Sequence, residues 1–326
     1  ESNFWAHNTV LYSKEFNKSF PKFVYYLLKT LDLKSFDSGS AVPSLNRNYI
    51  HGININLPSL PEQKAIAAVL SSFDDKIELL RRQNQTLEAI AQTIFKEWFV
   101  HFKINGKKLK LNIQTKLPEG LRMGRLEDVI EIRNGFAFKS EDYVESGVTI
   151  VRTTNFVDGS IVLDDVVYLT EEKAKEFEKF YLSKFDFLLV MVGASLGKSV
   201  ITPSYVLPAL QNQNMWNFKA KDGLMKFYNM LFLGVLVSQQ INSAGGSARD
   251  FFRKDHFYSL DITIPEANIL HIFNRLVSDV FEKIDLNISQ IQTLSKLRDT
   301  LLPKLMKGEI RVNEMSKLVK GESNDN

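Results

Sequence analysis

The run Gly193-Ala194-Ser195-Leu196-Gly197-Lys198-Ser199 has the residue types of a loop that wraps a phosphate: glycines, a lysine and a hydroxyl. The spacing is wrong for that loop. Three residues separate the glycines where the motif needs four. Val200-Ile201-Thr202-Pro203 follows and does not open a helix, so the cradle of helix N–H groups is missing. A strand-turn-strand in which Lys198 reaches a phosphate is the better reading, and a nucleotide-binding enzyme is the alternative.

Four other clusters carry side chains that read base edges. They are Arg133-Asn134, Arg152-Thr153-Thr154-Asn155, Gln211-Asn212-Gln213-Asn214, and Arg249 to Lys254. Arg pairs with guanine, and Asn or Gln pairs with adenine, through two hydrogen bonds in the major groove. Lys139 and Ser195 lie beside these clusters. A fifth, basic run is Lys103, Lys107, Lys108 and Lys110. From 103 to 125 there are seven Lys or Arg against one acid, Glu119, which suits either a solvated linker or phosphate contact. The acidic stretch from Asp164-Asp165 to Glu178 is expected to face away from nucleic acid. Catalytic constellations are lacking. The five His are dispersed without metal-ligand spacing, and no nucleophile elbow or dinucleotide fingerprint occurs.

These residues need elements to hold them, and the chain supplies them twice. Residues 38–95 align without a gap on residues 245–302, an offset of 207. Gly39-Ser40-Ala41 falls on Gly246-Ser247-Ala248, Lys76-Ile77 on Lys283-Ile284, and Gln85-Thr86-Leu87 on Gln292-Thr293-Leu294. Each copy ends a domain, passes a proline and enters a long heptad helix. The first helix is expected over 61–100, about 57 Å long, with Phe73, Ile77, Leu80, Asn84, Leu87 and Ile94 in its seam. The second, over 266–307, places Val280, Ile284, Asn287, Ile291 and Leu294 in its seam, and stops near Gly308 or at Pro303. One seam Asn in each, with matched heptads, predicts an antiparallel coiled coil.

Between the helices the periodicity falls to two. Strands are expected at 128–132, 148–151, 161–163, 187–192, 199–201 and 260–264, with helices near 171–180 and 224–242. The fold class is α+β, an irregular sheet domain plus two long helices. The expected division is 1–59 as the end of a first domain, 60–102 as its helix, 103–120 as connector, 121–265 as a second domain, 266–308 as its helix and 309–326 as a polar tail. Composition agrees with a soluble cytoplasmic chain: 44% hydrophobic, no Cys, net charge +3 and no membrane-length apolar run. Any nucleic-acid surface is therefore local.

Leu57-Pro58-Ser59-Leu60-Pro61-Glu62-Gln63-Lys64, followed by the heptad helix with Asp75-Lys76-Ile77, resembles the conserved region of type I restriction–modification specificity subunits. Leu126 to Gly135 resembles the opening of a target recognition domain in that family. Asp186 to Lys198, Gln211 to Asn214 and Gly246-Ser247-Ala248 match its later motifs in order. The resemblance implies a non-enzymatic reader of double-stranded DNA that binds no metal and no cofactor. Two recognition domains would each read half of a split target. Two modification subunits would clasp the coil and bring S-adenosylmethionine chemistry, and restriction subunits would bring ATP-driven cleavage. A coiled-coil scaffold with no DNA role is the remaining alternative. The second conserved region reads Ile264-Pro265-Glu266-Ala267 without the Glu-Gln pair, so its methylase contact is expected to differ. The offset also places the opening of the first recognition domain ahead of Glu1. Residues 1–59, with Asn3 to Asn8 and a helix near 21–33, would then supply only its end, and the chain alone would read one half-site weakly or need a second polypeptide that supplies the absent piece.

Overall fold

The computed structural model describes residues 10–36, 45–243 and 253–312. Arg249, Asn3 to Asn8, the two Gly-Ser-Ala turns and most of the polar tail lie outside the described residues. The helices and strands run α1 Pro21–Thr30, α2 Arg47–His51, α3 Leu60–Phe99, β1 Lys103–Ile104, β2 Lys107–Lys108, β3 Leu121–Arg125, α4 Leu126–Val129 and β4 Ile130–Asn134. Then come β5 Val148–Val151, β6 Phe156–Val157, β7 Ser160–Ile161, β8 Val167–Leu169, α5 Glu171–Lys175, β9 Phe187–Val190 and β10 Ser199–Ile201. The chain ends on β11 Ala209–Gln211, β12 Met215–Ala220, α6 Lys226–Ser243, α7 Lys254–Tyr258, β13 Asp261–Pro265 and α8 Ala267–Met306.

The mixed class and both long helices are as expected. The expected strand at 128–132 starts later, because residues 126–129 take a helical turn. β12, at the centre of the main sheet, was not expected. Its Met-Trp-Asn-Phe-Lys-Ala sequence lacks the alternation of a half-exposed strand because four consecutive residues are buried. Pro303 does not stop α8. It sits in the last turn, where its missing N–H costs the helix a single hydrogen bond near its end, and Lys307 N–H still reaches Pro303 O at 3.0 Å. Gly308, at φ +71°, then ends the helix, with Glu309 N–H returning to Lys304 O at 2.9 Å.

The chain divides into two compact units, Glu1–Arg81 with Gln290–Asn326, and Arg82–Ser289. The division falls inside both long helices, not at their ends as the sequence suggested. In the first unit, Asp74 of α3 meets Arg298 of α8 at 2.5 Å, and Ile66 and Leu70 pack with Leu302 and Leu305. Positions rise on one helix as they fall on the other, so the pair is antiparallel. In the second unit Asn84 meets Asn287 at 2.8 Å, and Phe95 meets Phe273 with ring centroids 6.5 Å apart. The pair is antiparallel there too. Ile77, Leu80, Asn84, Ile284 and Asn287 are buried, and Phe73, Leu87, Ile94, Val280, Ile291 and Leu294 are partly so, as a seam requires.

The internal repeat is realised in the packing. In the first unit Phe23 and Tyr26 of α1 pack on Ile66 and Leu70 of α3 and on Leu302 and Leu305 of α8. In the second, Met230 and Leu233 of α6 share a core with Phe273 and Val277 of α8 and with Phe95 and Trp98 of α3. The 207-residue offset carries each member of the first set onto a member of the second. The repeat therefore includes α1 and α6, beyond the stretch over which the residues themselves align.

Candidate nucleic-acid interface

The main sheet has the order β10-β9-β12-β4, and a second has β11-β5-β8. β11 and β5 are parallel, with Gln211 opposite Val151. Their C-terminal ends therefore deliver Asn212-Gln213-Asn214 and Arg152-Thr153-Thr154-Asn155 to the same edge. The chain leaving β4 joins them: Phe136 N–H donates to Gln211 O at 3.1 Å, and Gln213 N–H donates to Phe136 O at 2.9 Å. Asn212 N–H reaches Val151 O at 3.1 Å, and Met191 N–H reaches Asn214 O at 3.2 Å, which ties in the β9–β10 turn. Four clusters far apart in sequence thus meet through backbone hydrogen bonds. Gly135 makes the crossing possible. A Cβ there would lie 1.8 Å from Asn212 O.

The glycine–lysine run forms that β9–β10 turn. Val190 N–H donates to Lys198 O at 2.8 Å and Gly197 N–H to Val190 O at 2.9 Å, while Gly193 and Gly197 take positive φ. β10 follows in place of a helix, so no helix N-terminus is available to hold a phosphate chain. This is the strand-turn-strand expected, and the nucleotide-binding alternative is not supported.

Asn134, Gln213 and Lys198 are exposed at this edge, with Ser195 and Thr153 half-buried. Arg133 is exposed, its guanidinium held by the Glu131 carboxylate at 2.7 and 2.9 Å, a contact that strengthens its hold on its proton. Lys139 is exposed and pairs with Glu141 at 3.2 Å. Lys107 and Lys108 are exposed on β2. Their hairpin turns at Asn105-Gly106, whose φ values of +51° and +75° suit a tight two-residue turn.

Other expected readers are committed to the fold. Asn155 is 1% exposed; its amide accepts Arg152 N–H at 2.9 Å and donates to Asp165 O at 3.1 Å. Gln211 is 2% exposed and donates to Arg133 O and Met215 O. Lys254 donates its ammonium to Ile132 O at 2.7 Å, and burial pulls its pKa down. The two buried amides already satisfied by backbone have little left for a base, whereas the half-buried Lys254 ammonium keeps further donors beyond the one given to Ile132 O. The separation of the acidic stretch also fails: Asp165 grips Arg152 Nη2 through its carbonyl at 2.6 Å and its carboxylate at 3.1 Å. Sequence reasoning missed Phe136, exposed at this edge and packed on Phe177 and Phe180 at 4.8 and 5.2 Å. Its signal was an aromatic beside a glycine inside a polar cluster.

Among the described residues no group of His, Asp or Glu could hold a metal ion, and no helix is long and apolar enough to cross a membrane. The site is thus an edge of polar and basic loops on an α+β domain, carried by an antiparallel pair of long helices. The family model for type I restriction modification DNA specificity domains matches residues 1–89 and 118–296, and the chain belongs to that family. It is 30% identical over 334 residues to the type I restriction enzyme MjaIX specificity subunit of Methanocaldococcus jannaschii, covering 95% of this chain and 75% of that protein. It is 24% identical over 361 residues to the HindI specificity subunit of Haemophilus influenzae, covering 89% and 77%. Its fold is similar to the S subunit of the type I restriction-modification system of M. genitalium: TM-score 0.52 at 18% identity, over 90% of this chain and 74% of that one.

Proposed function

We propose that this chain selects the DNA sequence for a type I restriction–modification complex and has no catalytic step of its own. The observation that carries the reading is the convergence of four polar loops on the edge formed by β4, β5, β11 and the β9–β10 turn. Asn134, Gln213 and Arg133 have the chemistry to read base edges in the major groove, and Lys198, Lys107 and Lys108 suit phosphates. Asn155, Gln211 and Lys254 shape the edge from beneath.

The partners of the reading are double-stranded DNA, two modification subunits on the paired long helices, and restriction subunits. S-adenosylmethionine and ATP belong to those partners, and the complex works in the cytoplasm. The test is methylation mapping in cells that carry the modification subunits with this chain as their specificity subunit. A defined methylated motif that changes when Gln213 or Asn134 is replaced is expected. Methylation with no sequence preference, or a motif indifferent to both substitutions, would overturn the assignment of this edge.

A further inference from the structure

The two units differ at a few buried or half-buried positions, each of them polar in only one unit. Tyr26 donates its hydroxyl to Asp74 at 2.6 Å, and Arg298 donates to the same carboxylate at 2.5 Å. The 207-residue offset places Leu233 at the equivalent of Tyr26, Phe281 at that of Asp74 and Ala91 at that of Arg298. All three are buried in the apolar core of the second unit. Asn287 donates to Asn84 at 2.8 Å, and Asn84 donates to Ile284 O at 3.4 Å. The equivalents of Asn287 and Asn84 are Leu80 and Ile291.

A chain with an internal repeat faces a hazard. α3 and α8 share the seam layers Ile77 and Ile284, Leu87 and Leu294, and Leu70 and Val277. At these layers α3 would meet on a copy of itself the same class of apolar side chain that it meets on α8. In an antiparallel pair of two α3 helices from different chains, Asn84 would meet Leu80 and Asp74 would meet Ala91. In a pair of two α8 helices, Asn287 would meet Ile291 and Arg298 would meet Phe281. Each exchange takes an amide or a charge away from its partner, whereas the intramolecular pair joins Asp74 to Arg298 and Tyr26, and Asn84 to Asn287, leaving Asn287 Oδ1 without a hydrogen bond.

We propose that Asp74–Arg298, with Tyr26, and Asn84–Asn287 make α3 accept α8 of its own chain and refuse a second copy of itself. The seam thereby keeps the two halves of one chain together. A chain paired with its own copy would carry the same reader twice.

The test uses the full chain carrying two different tags and co-expressed. One variant gives each polar position the residue of its repeat equivalent: Tyr26→Leu, Asp74→Phe, Arg298→Ala, Asn84→Ile and Asn287→Leu. A milder variant carries only Asn84→Ile with Asn287→Leu, which leaves the charges and every apolar layer in place. Wild-type tags are expected to purify separately at the mass of one chain. The share of doubly tagged dimer is expected to rise at least about tenfold in the full variant, and less in the milder one, as buried mismatches disappear. Wild-type chains that already co-purify through their helices would overturn the proposal. So would a folded variant, full or mild, that stays as monomeric as wild type.

Discussion

The side-chain carbonyl of Gln63 accepts the backbone N–H of Phe20 at 2.8 Å, and its amide donates to Pro58 O at 3.0 Å. Gln63 is 2% exposed, so this signature residue faces inward and ties the start of α1 to the chain entering α3. The lack of a Glu-Gln pair in the second copy coincides with a different setting for the buried residue. The equivalent of Gln63 there is Leu270, itself buried in the apolar core. Gln63→Leu leaves Phe20 N–H and Pro58 O without partners, and a loss of about 1–3 kcal/mol is expected in urea unfolding. A stability unchanged from wild type would show that water replaces the amide at no cost.

Gly135 is the tightest point of the reading edge. In Gly135→Ala the new methyl cannot stay 1.8 Å from Asn212 O, so the 134–136 and 211–214 segments must part. Sequence-specific methylation is expected to fall steeply, while the far-ultraviolet circular dichroism of the α-helices stays unchanged. Wild-type methylation in Gly135→Ala would mean that the crossing does not set the reading geometry.

Base readers and phosphate contacts separate by their salt response. Replacing Gln213 by Ala is expected to cost about 1–3 kcal/mol at one base pair and to relax preference there alone. Replacing Lys107 by Gln should weaken binding across all sequences and reduce the log–log salt slope by about 1. Titrations of labelled duplexes over a range of salt concentrations decide both. A sequence-selective loss from Lys107→Gln would reverse its assignment.

Stability should fall at both ends of the pH scale. Burial pushes the Asp74 carboxyl up, but the Tyr26 hydroxyl and the Arg298 guanidinium outweigh it and hold the pKa below its ordinary value. Burial opposes the Asp285 carboxylate too, and Ser204 N–H at 2.7 Å with the Lys184 ammonium at 2.9 Å holds it low. Folded values below the unfolded ones give stability that is full above an unfolded pKa near ~4 and lost as pH falls through the folded values. Burial of Tyr228 pushes its hydroxyl up to about 12. That contribution is full below the unfolded value near ~10 and is lost as pH rises from there towards the folded value. Urea midpoints measured across pH should form a plateau with two falling limbs. Asp74→Asn should flatten the acid limb, and Tyr228→Phe the alkaline one.

The two long helices were legible because heptad spacing is a local property. Ile77, Leu80, Asn84 and Leu87 mark one face of α3 whatever packs on it. The repeat was legible for the same reason, position by position. Which polar residues read and which support was decided by tertiary structure. Asn134 and Asn155 are the same residue type in similar loops. Asn134 ends exposed at a strand terminus, while Asn155 folds back under Asp165 O with 1% exposure. The turn at 152–155 holds the Asn155 amide to Arg152 N–H, and the partner that completes its burial, Asp165, lies on a later segment. The meeting of residues 134–136, 152, 191 and 212–214 depends on the parallel register of β5 and β11, set by long-range pairing. Spacing along the chain determined which faces are apolar. Only the pairing of distant strands determined which polar groups were left over to meet another molecule.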